Sequence, residues 1–336
     1  MYGGERERVV KCPQCKKTHK YSDGMRCGCG YAFVFDPKSD LITDGKFVAL
    51  LNAVSGPEGR FFTENQLYAQ HCRLAGRANR YRKVGGLIAA VVLGAAGILV
   101  ALLANGGCGL LLICLALIGL AVAAAGTLAR APSRDVLQRR LDKWQGAGRN
   151  VEKLLVEPRM HEPPPEWTEG DIYDYGVERV LVVQHDLLVD LFVLNGLAAE
   201  EKALVIAESG YPRYLLPVAT KMLTETPDLP VLILHDSTPA GVDMAVRLKS
   251  SGFLPLEGHP LVDIGLSPDH VRAMPKLKAM GGAAGYEIPA DLLLYPAMAG
   301  ILAASFQDNV GLGILLKRSI SRGTTDDRFH YYDSYG

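Results

Sequence analysis

The segment Val177-Glu-Arg-Val-Leu-Val-Val-Gln184 contains a continuous apolar, largely β-branched run with charged residues on either side. Two similar runs follow, at Ala203 to Ala207 and Val231 to Leu234. Continuous apolar strands without polar alternation are typical of parallel sheets that are covered on both faces. The segment from Val177 to Gln184 therefore predicts the first strand of a parallel α/β sheet.

Helical patterns separate these runs, at Leu187 to Leu197, Tyr214 to Leu223 and Ala240 to Leu248. Strands that alternate with helices of this length indicate repeated β-α-β units. Functional residues in such sheets gather at the carboxyl ends of the strands. We assign residues 171–320 to this α/β domain and expect its site at that edge.

Polar motifs follow the predicted strands. They read Gln184-His-Asp, Glu208-Ser-Gly-Tyr-Pro, His235-Asp-Ser-Thr-Pro-Ala-Gly-Val-Asp and Asp263-Ile-Gly-Leu-Ser-Pro-Asp. In order and spacing, over roughly residues 177–270, they resemble the Toprim domain of the topoisomerase VI A subunit and its meiotic double-strand-break relatives. The resemblance implies a Toprim-like fold.

In that family, a Glu after the first strand and an Asp-x-Asp after the third hold magnesium, which assists phosphodiester chemistry. The corresponding residues here are Gln184, Asp236 and Thr238, and Gly241 completes the implied cofactor site. Two of the three carboxylates are thus replaced by neutral groups, which weakens a Mg²⁺ site. The resemblance therefore implies a non-catalytic module that binds nucleic acid, a nucleotide or a protein.

An alternative is a magnesium-dependent nuclease or topoisomerase-like enzyme in which Asp236 acts with Glu208 or Asp243. The family's nucleophile is the second of two adjacent tyrosines, and the similar segment here reads Tyr68-Ala69. The nucleophile is therefore missing, which argues against an enzyme.

Histidines also end two neighbouring strands, at His185 and His235. They either face each other across a cleft or line a solvent-exposed edge, and we favour the second arrangement.

Four of the seven cysteines form two close pairs, Cys12-x-x-Cys15 and Cys27-x-Cys29. Two thiolate pairs of this kind suit a tetrahedral metal ion, and the segment resembles a zinc ribbon over residues 1–40. A closed four-cysteine site implies structural Zn²⁺, and the alternative is reduced cysteines without a ligand. We interpret His19, between the pairs, as a surface residue.

Thr63 and Gln66 have the spacing of a capping box at the start of an amphipathic helix. This helix belongs to a connector, residues 41–83, which is either a simple link or a small winged-helix-like unit.

The stretch from Val84 to Ala129 has no charged residue or histidine. Asn105-Gly-Gly divides it into segments 84–104 and 109–129, each long enough for a membrane-spanning helix. Basic residues flank both outer ends, so the positive-inside rule predicts a hairpin in the cell's inner (plasma) membrane with both termini cytoplasmic.

The remaining segments are a basic, Pro-rich linker (130–170) and a flexible tail (321–336). The formal net charge is zero and the pI is about 7.1, so any contact with nucleic acid needs a local patch. Lys276, Lys278, Lys317, Arg318 and Arg322 form either such a patch or a solvated face. A protein partner is expected.

Overall fold

A computed structural model describes residues 9–103, 114–118, 120–121, 132–163, 176–272, 280 and 287–308. The chain divides into two compact units, Met1–Gln70 with Gln138–Gly336 and His71–Leu137. The first unit contains the α/β sheet and the cysteine cluster.

The α/β sheet consists of four strands, β5 (Arg179–Val183), β6 (Ala203–Ala207), β7 (Val231–Leu234) and β8 (Leu261–Asp263). They are parallel and lie in the order β6-β5-β7-β8. The helices around it are α4 (Asp186–Leu194), α5 (Leu197–Glu200), α6 (Leu216–Glu225), α7 (Pro239–Val242), α8 (Met244–Ser251), α9 (Pro268–Arg272) and α10 (Tyr295–Asp308). The predicted parallel α/β sheet is confirmed.

Both faces of the sheet are buried, which explains the continuous apolar strands. Val180 and Val182 of β5 pack in one core with Ala219 of α6 and Met244 of α8. The alternate side chain Leu181 is equally inaccessible. Burial of a side chain of this size stabilises the fold by about 1.5–3 kcal/mol.

The amino-terminal part begins with the antiparallel pair β1 (Val9–Lys11) and β2 (Thr18–Lys20) and continues into α1 (Asp44–Ser55). Asp44 is fully buried, and its carboxylate accepts hydrogen bonds from the Tyr31 hydroxyl and from the backbone N–H groups of Val34 and Phe35. This carboxylate therefore holds the segment that leaves the cysteine cluster against the start of α1.

The expected linker at 130–170 instead contains α3 (Arg134–Gly146) and β4 (Leu154–Leu155). Trp144 of α3 stacks on Phe35, and β4 pairs in parallel with β3 (Phe62–Thr63). Apolar side chains of this segment pack in the core. Its basic and Pro-rich composition did not indicate this.

The capping box is confirmed at the start of α2 (Glu64–Leu103). The backbone N–H of Gln66 donates to Thr63 Oγ1 (3.3 Å), and that of Thr63 donates to Gln66 Oε1 (3.2 Å). Gln66 also donates through Nε2 to the carbonyl of Leu293 (3.0 Å), so the cap is tied to the sheet-bearing part of the unit.

The predicted transmembrane hairpin is wrong. Among the described residues, no helix is long and apolar enough to cross a membrane. Segment 84–104 falls largely within α2, a continuous helix whose first half carries many charged side chains, and most of segment 109–129 lies outside the described residues. The integral membrane state and the inner-membrane location rested on the hairpin and are corrected with it.

Several predictions concern residues that lie outside the described ranges. These are the tail at 321–336, the basic side chains at 276, 278, 317, 318 and 322, and part of the linker and α/β domain.

Candidate functional site

A crevice opens at the carboxyl ends of β5 and β7. The chain passes from β5 to β6 on one side and then to β7 on the other side of β5, so the connections leave these two strands in opposite directions. Parallel α/β sheets bind ligands at such a switch point. Gln184 and His185 follow β5 directly, and Asp236 follows β7 after one residue.

Gln184, Thr238 and Gly241 serve the local structure of this edge. Gln184 Oε1 accepts a hydrogen bond from the backbone N–H of Asp236 (2.8 Å), and Thr238 Oγ1 caps α7 by accepting from Gly241 N–H (3.0 Å). A Cβ atom on Gly241 would clash with the Asp236 carbonyl and lie 3.0 Å from Gln184 Oε1. Gly241 therefore permits the close approach of α7 to the strand end.

The Asp236 carboxylate is almost inaccessible, and both of its oxygens are engaged. Oδ1 accepts from the backbone N–H of Ala290 (2.7 Å), and Oδ2 lies 2.7 Å from His185 Nε2. Because a carboxylate is an acceptor, His185 Nε2 carries the proton. The hydrogen bond to Asp236 raises the pKa of His185, although burial acts against it.

A second carboxylate, that of Asp291, lines the crevice. Asp291 is 9 % exposed and accepts from Asn65 Nδ2 (2.8 Å), and its burial raises its pKa above the ordinary value. The crevice has a volume of about 500 Å³. Its lining consists of Asn65, Gln184, His185, Asp186, Leu187, Leu188, Pro289 and Asp291.

Three other acids lie near this edge of the sheet, and two of them have side-chain partners. Glu208 forms a bidentate ion pair with Arg247, in which each carboxylate oxygen lies 2.8 Å from a guanidinium nitrogen. Asp186 accepts from the Ser209 hydroxyl at 2.5 Å, and Asp243 is exposed between α7 and α8. Glu208 is thus held by Arg247, and of these three acids only Asp186 lines the crevice.

His235 is buried and does not line an exposed edge. Its Nδ1 contacts the Asp236 carbonyl (2.7 Å), and its Nε2 lies 3.0 Å from Asp263 Oδ1. Because both partners are acceptors, the ring can donate to both of them only in its protonated form, in which it pairs with the Asp263 carboxylate. Burial alone would lower the pKa of His235, but the bond to Asp263 raises it. Gly265 packs on the ring so closely that a Cβ atom would lie 2.6 Å from Cγ.

The four cysteines of the amino-terminal part form a compact cluster. Their Sγ atoms all lie within 4.8 Å of one another, and the Cys12–Cys29 and Cys15–Cys27 separations are both 3.7 Å. Within the described ranges, they are the one such group of three or more His, Cys, Asp or Glu side chains. The cluster can bind a metal ion.

The thiols of the cluster differ in acidity. A hydrogen bond from the Tyr31 backbone lowers the pKa of Cys29 to about 7. Lys17 N–H has the same effect on Cys15, but burial and the neighbouring thiols outweigh it and raise that pKa to about 11.

The prediction that His19 is a surface residue is wrong. His19 is 7 % exposed, stacks on Phe33 and hydrogen-bonds to the Gly24 carbonyl (2.7 Å), so it belongs to the packing around the cluster and not to the surface.

No protein-family model, curated protein or solved structure matches this chain. The suggested membership of the Toprim family is therefore corrected. The motifs that suggested it are short, and their residues have the local roles given above: Gln184 supports a backbone N–H and Thr238 caps a helix. Such roles arise at the edge of any parallel sheet, because strand ends and helix starts need hydrogen-bond partners.

Asn65 and Asp291 of the crevice did not emerge from the sequence. They are separated by 226 positions in the chain, and neither belongs to a recognisable motif. The one available signal was local: Asn65 lies within the capping box formed by Thr63 and Gln66, and that box marks a helix start without indicating what the first turn faces.

Proposed function

We propose that this chain is a non-catalytic binding module. Its crevice at the ends of β5 and β7 takes a segment of a protein partner, and its cysteine cluster holds a structural zinc ion. The observation that carries the proposal is the hydrogen bonding of Asp236, whose two oxygens are used by Ala290 and His185.

Magnesium chemistry is poorly served by this arrangement. Mg²⁺ binds through carboxylates and retained water in near-ideal octahedral geometry. A metal at Asp236 would have to displace His185 or the Ala290 N–H, and Gln184 Oε1 already accepts from Asp236 N–H. Glu208, one of the two acids in the alternative enzyme site, would have to leave Arg247.

The groups that line the crevice favour a polypeptide over a nucleotide. Asp186 and Asp291 contribute carboxylates, which repel phosphate and attract a basic side chain. His185, half exposed, donates through Nε2 to Asp236, so Nδ1 of the neutral ring is an acceptor that suits a backbone N–H. A peptide with an Arg or Lys side chain supplies both complements.

The spacing of the sulfur atoms supports the proposal of zinc in the cluster. With a Zn–S distance of about 2.3 Å, a tetrahedral ion requires sulfur atoms about 3.8 Å apart. The two short Sγ–Sγ distances are 3.7 Å. Four thiolates leave no open position, so the ion would contribute to folding and not to chemistry.

Titration of the full chain tests the binding proposal. The probes are acetyl-Gly-Arg-Gly-amide, acetyl-Gly-Glu-Gly-amide, ATP and Mn²⁺, and the readout is the NMR shift of the His185 ring. We expect saturable binding of the Arg peptide alone, with a Kd of about 1 mM for so small a probe.

Asp186→Asn should weaken that binding, because it removes a charge from the crevice, whereas Asp269→Asn removes an exposed charge from α9 and should not. Saturable Mn²⁺ binding that Asp236→Asn abolishes, or hydrolysis of a phosphodiester that requires Asp236, would overturn the proposal in favour of the magnesium enzyme. Tighter binding of ATP than of the Arg peptide would overturn the assignment of a protein partner.

A further inference from the structure

The hairpin that carries the first cysteine pair has a strong local charge. Between Lys11 and Lys20 the chain has four lysines and no acid. Lys11 and Lys20 lie on β1 and β2, where the outer positions are exposed and the inner ones are buried. Lys16 and Lys17 are exposed in the connection between these strands. We refer to Lys11, Lys16, Lys17 and Lys20 as the basic hairpin.

The net charge of this region stays positive when the cluster holds a metal ion. From Val9 to Phe35 the chain has five basic residues, the four lysines and Arg26, and one acid, Asp23. A zinc ion with four thiolates carries two negative charges, which the surplus of cations exceeds. The preceding residues 1–8 have two Arg and two Glu, so they add no net charge. An anionic partner therefore meets a positive surface.

We propose that the basic hairpin binds the phosphate backbone of nucleic acid. Lys is a flexible point-charge donor that suits phosphate oxygens and does not depend on sequence. This surface is independent of the crevice, and it is the local patch that a chain without net charge needs for such contact.

Few large apolar side chains are exposed near the basic hairpin, which argues against an anionic membrane surface or an acidic protein as the partner. Among those residues from 9 to 35 whose side chains the structure describes, a set that leaves out Tyr21, the large exposed apolar side chains are Val9 (50 %) and Met25 (39 %). A membrane-surface segment presents aromatic or leucine side chains for insertion. Protein interfaces have aromatic anchors at their centre, but Tyr31 and Phe33 are buried here.

Fluorescence anisotropy with the full zinc-loaded chain and a labelled oligothymidylate of about 20 nucleotides tests this inference. If the four lysines neutralise about four phosphates, the slope of log K against log salt is about −3 for a single strand. Affinity then falls about 50-fold between about 50 and 200 mM salt.

The test variant is Lys11→Gln with Lys17→Gln. We expect it to halve the slope and to reduce the salt-induced loss to about 7-fold. The matched control is Lys221→Gln with Lys249→Gln, which removes two exposed charges from α6 and α8 of the same unit. Zinc content is measured for each variant, so that loss of the metal is not mistaken for loss of contact.

Three outcomes would overturn the inference. One is a slope near zero, another is an equal loss in the control variant, and the third is tighter binding to phosphatidylserine vesicles or to poly-glutamate than to the oligonucleotide. None of these results bears on the crevice, whose test uses other residues and other probes.

Discussion

Replacement of Gly241 by alanine tests the packing that builds the crevice. An alanine Cβ at this position would overlap the carbonyl oxygen of Asp236 and lie 3.0 Å from Gln184 Oε1. The carbonyl belongs to the backbone just after β7 and cannot rotate away on its own. The start of α7 must therefore move, and the hydrogen bond from Asp236 N–H to Gln184 Oε1 is lost or lengthened.

The expected loss of stability follows from two costs and one gain. Overpacking in a tight interior costs about 1–3 kcal/mol, and a buried N–H left without its acceptor costs about 1–3 kcal/mol more. Alanine regains up to about 1 kcal/mol over glycine in a helix. We therefore expect Gly241→Ala to lower the free energy of unfolding by about 1–5 kcal/mol.

Gly300→Ala is the matched control, because Gly300 lies inside α10 and a Cβ atom added there would have no neighbouring atom within 4 Å. It should raise the free energy of unfolding by about 0.5–1 kcal/mol. Both variants restrict the unfolded chain to the same extent, so the difference between them comes from the folded structure. Urea unfolding followed by circular dichroism gives the energies, and hydrogen exchange of the β7 amides locates the change. If Gly241→Ala is as stable as Gly300→Ala, the close approach of α7 to Asp236 is not what glycine provides.

Three further predictions concern other parts of the first unit. The purified chain should contain one zinc ion, and Cys29→Ser should lower the zinc content and increase hydrogen exchange in β1 and β2, while the β5 amides stay protected. For the ion pair of His235 with Asp263, the raised pKa of His235 gives a share of stability that is present below its ordinary value of 6.5 and is lost as pH rises through the folded-state pKa. Burial acts to raise the pKa of Asp263, but the hydrogen bond to His235 outweighs it and lowers that pKa. The resulting contribution to stability is present above pH 3.8 and is lost as pH falls through the folded-state pKa. The stability difference between the natural chain and Asp263→Asn should thus be largest between pH 3.8 and 6.5, and a difference that is flat with pH would contradict the ion pair. Tyr211→Phe should cost about 1–3 kcal/mol in thermal unfolding, because the hydroxyl donates to the fully buried Asp190 carboxylate (2.5 Å), and a neutral result would show that solvent replaces it.

The strands were the easiest elements to predict. The apolar runs at 203–207 and 231–234 match β6 and β7 residue for residue. A strand buried on both faces leaves a continuous apolar pattern whose ends are marked by the first polar side chain. The capping box was equally clear, because Thr63 and Gln66 satisfy each other over three residues.

Contacts between distant segments could not be predicted in this way. The bond of Asn65 to Asp291 and the bond of Asp236 to Ala290 join positions that share no local pattern. Hydropathy misled for a related reason: it records the composition of a segment, and the apolar side chains of segment 84–104 did not indicate the long helix α2 that also includes the charged residues before it. His19 shows the same limit, since its burial depends on Phe33 and Gly24, which follow it in the chain.

Gln184→Glu separates the two accounts of the crevice. The new carboxylate keeps an oxygen that can accept from Asp236 N–H, but it places a negative charge beside the carboxylates of Asp236 and Asp291. Like charges in a poorly solvated site repel each other, so the free energy of unfolding at pH 7 should fall by about 1–3 kcal/mol and recover as the pH is lowered and a carboxyl group becomes protonated. If Asp236 is committed to His185 and Ala290, as we propose, Mn²⁺ will not restore the lost stability. If Mn²⁺ restored the stability of the natural chain, the crevice would accept a divalent ion as soon as a third carboxylate is present. The non-catalytic interpretation of Gln184 would then be wrong.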